Sequence, residues 1–216
     1  MSDAIAILIV DDHPLVREGL RAVMGLEPDL RIVGEATDGI EAVEMARRFR
    51  PSVILMDVLM PNKDGVAATA EILAEDRDAR VLVLTSVTDL ERIRPTIDAG
   101  ALGYVTKNAP PAELLQAIRT IHQGGVHLPA NMAHRLIGAA ADPPCPPLAA
   151  GPLTERELEI LRLVACGLGN DQIARRLLIS PRTAGAHISH ILDKLGLENR
   201  TQAALYAVRC GLAGLG

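Results

Sequence analysis

Five short apolar runs, separated by stretches with helical spacing, constrain the fold of this chain more than any other feature. The runs are AIAILIV (Ala4–Val10), LRIVGEA (Leu30–Ala36), VILMD (Val53–Asp57), RVLVLTS (Arg80–Ser86) and LGYVTK (Leu102–Lys107). Several are apolar at nearly every position, as a strand must be when helices cover both faces of its sheet. Between the runs, Val16/Leu20/Val23, Ile93/Ile97 and Leu114/Ile118/Ile121 recur with the period of a helix. Five strands alternating with five helices in about 125 residues predict βαβ units and an α/β doubly wound, five-stranded parallel sheet.

Ligands of such a sheet gather beyond the carboxyl ends of its strands, and right-handed crossovers put those ends on one edge. The residues there are Asp11 and Asp12, Asp57, Thr85 and Lys107. Singly, each has an ordinary explanation: an acid after a strand caps the next helix, and a lysine is a solvated charge. Together they form a chemical set. Three clustered carboxylates repel one another and require a cation, and all-oxygen ligation suits Mg²⁺. An ionised Asp can attack phosphorus to give an aspartyl phosphate without a general base. The metal, the Lys107 ammonium and the Thr85 hydroxyl would then neutralise the phosphoryl oxygens. Asp38 and Asp64 rival Asp57 as acceptor, but each precedes a Gly, so turn chemistry accounts for both.

The segment Ile137–Pro152 is dense in Ala, Pro and Gly and reads as an interdomain linker. Beyond it, Leu153–Leu212 reads as four short helices. Thr154 and Glu157 form a capping box ahead of Leu158/Leu161/Val164, and Gly167 and Gly169 end that helix. After NDQIARRLL, Ser180 is an N-cap with Pro181 at the first helical position. The third helix stripes Ala184/Ile188/Ile191/Leu195, and the last, from about Thr201, is rich in Ala. Two short helices joined by LLIS form a helix-turn-helix. The expected division is residues 1–125, a helical extension and linker over 126–151, and a second domain over 152–216.

The blocks LIVDDHPLVREGL, MDVLMPNKDG, VLTS and GALGYVTK resemble the receiver domain of two-component response regulators over residue 4 to about 125. The segment after the linker resembles the LuxR-type DNA-binding domain, and the pair is similar to the NarL/FixJ subfamily. The resemblance implies the strand order 2-1-3-4-5. It implies phosphorylation of Asp57 by a sensor histidine kinase, and Mg²⁺ on Asp12 and Asp57 with Asp11 nearby and the Leu59 backbone carbonyl as a further ligand. Thr85 and Tyr104 would be the switch pair, and Lys107 would touch the phosphoryl group. The third helix would enter the major groove of double-stranded DNA, with a homodimer forming on activation. Candidate DNA contacts are Arg175, Arg176, Arg182, Thr183, Ala186, His187, Ser189, His190, Lys194 and Arg200.

The chain departs from the family pattern in places. Gly185 and Ser189 stand at two frequent basic positions, and Asp171 and Gln172 replace the usual Lys-Glu. At 100° per residue, the face of the third helix opposite its apolar stripe carries Arg182, Ala186, Ser189 and Asp193, one charge of each sign. Phosphate contacts supply much of DNA affinity, so a phosphorylation-dependent protein-interaction regulator with weak DNA binding is the alternative. Pro95 falls within the fourth helix, where it should kink or shorten it.

Charge follows the same division. Residues 1–130 carry 13 Lys and Arg against 20 Asp and Glu, whereas residues 152–216 carry 8 against 6. Aromatics make up 1% of the chain, which argues against a site built on stacked bases. No apolar run reaches the roughly 18 residues of a membrane span, and the N-terminus lacks the marks of a signal peptide, so a cytoplasmic protein is expected. Cys145, Cys166 and Cys210 are odd in number and far apart, which suggests reduced thiols. An aspartyl phosphatase would need an acid/base carboxylate near the nucleophile, but the residue two beyond Asp57 is Leu59. No enzymatic role is expected beyond the domain's own phosphoryl transfer and dephosphorylation.

Overall fold

The computed structural model describes residues 4–86, 90–129, 132–133, 135–136 and 153–212. The chain divides into two compact units, Met1–His122 and Gln123–Gly216.

In the first unit, β1 (Ile5–Val10), β2 (Leu30–Ala36), β3 (Val53–Asp57), β4 (Val81–Thr85) and β5 (Gly103–Thr106) form a parallel sheet. Its order is β2-β1-β3-β4-β5, as the resemblance implies. The intervening helices are α1 (Pro14–Met24), α2 (Gly39–Phe49), α3 (Gly65–Glu75), α4 (Leu90–Asp98) and α5 (Pro111–His122). Every residue of β3 and β4 is buried, which is why those runs show no alternation. On one face Ile7, Ile9, Leu55 and Leu82 pack with Leu20 and Met24 of α1 and with Leu114, Ile118 and Ile121 of α5. On the other face Leu8, Ile54, Met56 and Val83 are also buried. Each such side chain contributes about 1.5–3 kcal/mol through burial.

This packing fixes the register. Val10 lies beside Met56, Asp57 beside Leu84 and Thr85 beside Thr106. A slip of one residue would turn Asp57 to the other face. Among the described residues, α4 runs from Leu90 through Pro95 to Asp98. The Thr96 hydroxyl donates to the Ile93 carbonyl at 2.7 Å, one turn back.

The second unit holds the four expected helices, α6 (Glu155–Ala165), α7 (Asn170–Leu177), α8 (Pro181–Leu195) and α9 (Arg200–Arg209). The Thr154–Glu157 capping box and the Ser180 cap, which accepts from the Thr183 N–H, are both formed. Gly167 ends α6 and Gly196 ends α8, both with φ in the left-handed region. The core joins Ile160, Leu161 and Val164 to Ile173, Ile188, Ile191 and Tyr206.

One part of this core precedes the expected start of the domain. Val126 is 6% exposed and belongs to the same cluster. The Gln172 side-chain amide donates to that of Gln123 at 2.7 Å. A Cβ on Gly169 would lie 1.8 Å from the Gln123 carbonyl oxygen, and one on Gly167 2.6 Å from that of Val126. Residues 123–128 are thus built into the second unit, earlier in the chain than the expected boundaries. Of the expected linker, Ile137–Pro152 lies outside the described residues. Cys166 is free, but Cys210 is disulfide-bonded, which corrects the expectation of three reduced thiols. Separation along the sequence does not report distance in space, and distance decides a disulfide.

Candidate functional site

The carboxyl ends of β1, β3, β4 and β5 carry five of the expected residues, Asp11, Asp12, Asp57, Thr85 and Lys107, on one rim of the sheet. Asp57 closes β3 and is 3% exposed, and Asp11, one residue past β1, is fully buried. Lys107 reaches between them, its Nζ 2.7 Å from Asp57 Oδ2 and 2.7 Å from Asp11 Oδ2. Its own backbone N–H donates to the Thr85 carbonyl at 2.7 Å, which extends the β4–β5 pairing to the rim. The Val58 N–H donates to Asp57 Oδ1 at 2.8 Å. The chain can turn back so closely only because residue 65 is Gly, where a Cβ would lie 2.0 Å from the Asp57 carbonyl oxygen.

Electrostatics follow from burial and from this one ammonium. Burial pushes the Asp57 carboxyl above its ordinary range, and the hydrogen bond from Lys107 recovers part of the shift. Burial would lower the Lys107 pKa, but the contacts with Asp11 and Asp57 outweigh it and raise the pKa. Thr85 is 5% exposed and Tyr104 1% exposed. Burial raises the Tyr104 phenol, opposed by the adjacent Thr85 hydroxyl, although the phenol oxygen lacks full hydrogen-bond geometry.

The donor set fits a hard cation. Ligand atoms of Asp11, Asp12, His13 and Asp57 lie within 4.8 Å of one another. Asp11 Oδ2 and Asp12 Oδ1 are buried oxygens whose close contacts to Lys107 and His13 are not directed hydrogen bonds. Such oxygens are ready ligands for Mg²⁺. Leu59 is exposed on the loop just past Asp57. Asp38 and Asp64 are occupied elsewhere: Asp38 caps α2 through the Ile40 and Glu41 N–H groups, and Asp64 caps α3 through Ala67. Two neighbours were not anticipated. His13 Nδ1 is 2.7 Å from Asp12 Oδ1, a contact its adjacency to Asp11 and Asp12 could have signalled. Arg17 donates to the Asp11 carbonyl at 2.7 Å, and no sequence motif marks that contact.

In the second unit the expected DNA contacts separate into two groups. Arg175, Arg176, Arg182, Thr183, Ala186, Ser189 and His190 are exposed, and His187 is half-buried. Lys194 instead donates to Glu157 Oε2 at 2.8 Å. Arg200 donates to the Asn170 side chain at 2.7 Å and also to the Leu168 carbonyl, and burial lowers its pKa to about 10. These two cations tie helices together and leave the outward surface to the arginines of α7 and α8. A Cβ on Gly185 would lie 3.3 Å from Asn170 Nδ2, so α7 and α8 approach closely there. No helix among the described residues is long and apolar enough to cross a membrane.

Comparison with known proteins agrees with this arrangement. The family model for the response regulator receiver domain matches residues 7–119, and that for bacterial regulatory proteins of the luxR family matches residues 151–207. The transcriptional regulatory protein LiaR of Bacillus subtilis is 42% identical, over 95% of this chain and 97% of its own. The oxygen regulatory protein NreC of Staphylococcus carnosus is 36% identical, over 94% and 96%. The crystal structure of ChrA, the response regulator of a haem-sensing two-component system, covers 97% of this chain and 98% of its own, with 34% identity and a TM-score of 0.54.

Proposed function

Because this chain belongs to the NarL/FixJ subfamily of two-component response regulators, joining a receiver domain to a LuxR-type DNA-binding domain, we propose that phosphorylation of Asp57 switches its control of transcription. The ammonium of Lys107 shared between two buried carboxylates supports this reading most directly. Asp57 is the only one of the three acids that ends a strand, beside Leu84 on β4.

A carboxylate oxygen of Asp57 attacks the phosphorus of a phosphohistidine on a sensor kinase. The P–N bond breaks, its electron pair stays on the leaving imidazole, and an acyl phosphate forms. Asp11 and Asp12, with Asp57 and the Leu59 carbonyl, would hold Mg²⁺, which supplies charge neutralisation at the phosphoryl oxygens when bound. Lys107 turns from the Asp57 carboxylate to a phosphoryl oxygen, and the Thr85 hydroxyl donates to another. Moving Thr85 changes what the Tyr104 hydroxyl meets, which biases the β4–β5 side between two arrangements. The active arrangement forms a homodimer, and two copies of α8 reach paired half-sites on double-stranded DNA. The protein works in the cytoplasm.

The test is selection of genomic fragments at stated salt. Protein treated with a small phosphodonor and Mg²⁺ is compared with Asp57→Asn. Fragments enriched only by phosphorylated wild type support the reading, and equal enrichment by Asp57→Asn refutes it. The engagement of Lys194 and Arg200 inside the unit favours one second reading, a phosphorylation-dependent protein-interaction regulator with weak DNA binding. Phosphorylation without any enrichment would favour that one instead.

A further inference from the structure

Asp11 stands one residue past the end of β1, where the sheet no longer fixes both sides of its backbone. Its N–H still donates to the Ala36 carbonyl of β2 at 3.1 Å. Its carbonyl, with no strand beside it, accepts from Arg17 Nη1 on α1 at 2.7 Å. The same guanidinium turns its Nε to Glu35 Oε2 on β2, at 3.2 Å. Only 16% of the Arg17 side chain and 27% of that of Glu35 are exposed. Arg21 also contacts Glu35, at 3.4 Å, and braces it from the next turn of α1.

We propose that Arg17, held by Glu35, is a positioning residue that fixes the Asp11–Asp12 backbone so that both carboxylates face the Mg²⁺ site. This rests on the phosphoacceptor reading above. The planar fork suits the task, because two rigidly spaced donors span two acceptors on different elements. A lysine has the charge without that geometry. Glu35 neutralises the cation, so Arg17 stands beside the metal loop without repelling the metal.

Two explanations give opposite signs. If Arg17 acted only as a nearby positive charge, its removal would tighten Mg²⁺ binding. If it positions Asp11, its removal weakens binding. Calorimetric titration of Mg²⁺ into the full-length protein decides between them, alongside the Mg²⁺ dependence of phosphorylation by a small phosphodonor. Arg17→Met and Arg17→Lys should each raise the Mg²⁺ dissociation constant about tenfold, as outer-shell losses do. Glu35→Gln should give a smaller rise. The phosphorylation rate at saturating Mg²⁺ should stay at the wild-type value in all three, because only metal capture is impaired.

Tighter or unchanged binding by Arg17→Met, or wild-type affinity in Arg17→Lys, overturns the proposal. If circular dichroism shows Arg17→Met to be unfolded, Arg17→Lys and Glu35→Gln carry the test, since both keep the cation. A wild type that takes up no Mg²⁺ would overturn the metal reading itself, and this inference with it.

Discussion

Replacing Lys107 by Met removes the cation between Asp11 and Asp57 while keeping most of the side chain's bulk. At an effective dielectric of 20, each contact at 2.7 Å gives about 6 kcal/mol of attraction. The two carboxylates, with ligand atoms no more than 4.8 Å apart, repel by at least about 3.5 kcal/mol. Leaving the ammonium in water offsets several kcal/mol of the lost attraction, and removing one partner of a buried pair costs about 3–5 kcal/mol in measured cases. That is a large share of the roughly 5–15 kcal/mol that holds a domain of this size together. With urea slopes of about 1–3 kcal/mol per molar, the receiver transition should move down by roughly 2 M at pH 7 without Mg²⁺. Mg²⁺ should return part of the loss, since it neutralises the same oxygens. Acid should return part as well. Burial raises the Asp57 pKa in the folded state, so its penalty is full above that pKa and fades as pH falls toward the ordinary 3.8. Urea unfolding of the full-length variant with and without Mg²⁺, followed from pH 7 down toward the ordinary carboxylate pKa of 3.8, reads all three effects. A midpoint equal to wild type, or a deficit indifferent to Mg²⁺ and pH, would refute the reasoning.

The other predictions concern single contacts. Gly65→Ala should disorder the turn after β3 and abolish phosphorylation, because its Cβ would lie 2.0 Å from the Asp57 carbonyl oxygen; a phosphoryl adduct on this variant by mass spectrometry would contradict the geometry. The Glu157 pKa is lowered to about 2 by Lys194 and by the Thr154 backbone. Its folded-state pKa lies below the ordinary 4.5, so its contribution is complete above pH 4.5 and is lost as pH falls toward 2. Glu157 is buried but the Lys194 side chain is 28% exposed, so solvent screening leaves about 1–2 kcal/mol, and thermal melts of Glu157→Gln should show a flatter acid limb. Ser189→Lys puts a cation on the exposed face of α8 and should steepen the dependence of log K on log salt by about 0.9 in DNA-binding titrations.

Periodicity made the sheet and its helices legible because burial on both faces leaves a dense apolar signature, as at Val53–Met56. The rim of Asp11, Asp57, Thr85 and Lys107 was legible for a related reason: strand ends mark position, and the acids and the lysine have few other uses there. Strand order came from resemblance, since local pattern carries no record of which strands are neighbours. Arg17 was hidden because its partners, the Asp11 carbonyl and Glu35, lie on other elements, and a backbone acceptor leaves no trace in sequence. The contacts of Lys194 and Arg200 within their own unit were hidden for the same reason. A cation on a helix looks the same in sequence whether it faces DNA or a buried glutamate. Gln123–Leu128 was missed because six residues without a period resemble any connector, although Val126 fills the core.

Those six residues also determine how such regulators can exchange output modules. A crossover within Ile137–Pro152 would deliver α6 to α9 but leave behind the stretch that lies over Gly167 and Gly169. The grafted module would then meet a foreign backbone at a notch too tight for even one added methyl group. A crossover ahead of Gln123 carries the stretch and its notch together. Recombination should therefore preserve the second kind of joint, and the unit of inheritance begins where the last receiver helix stops.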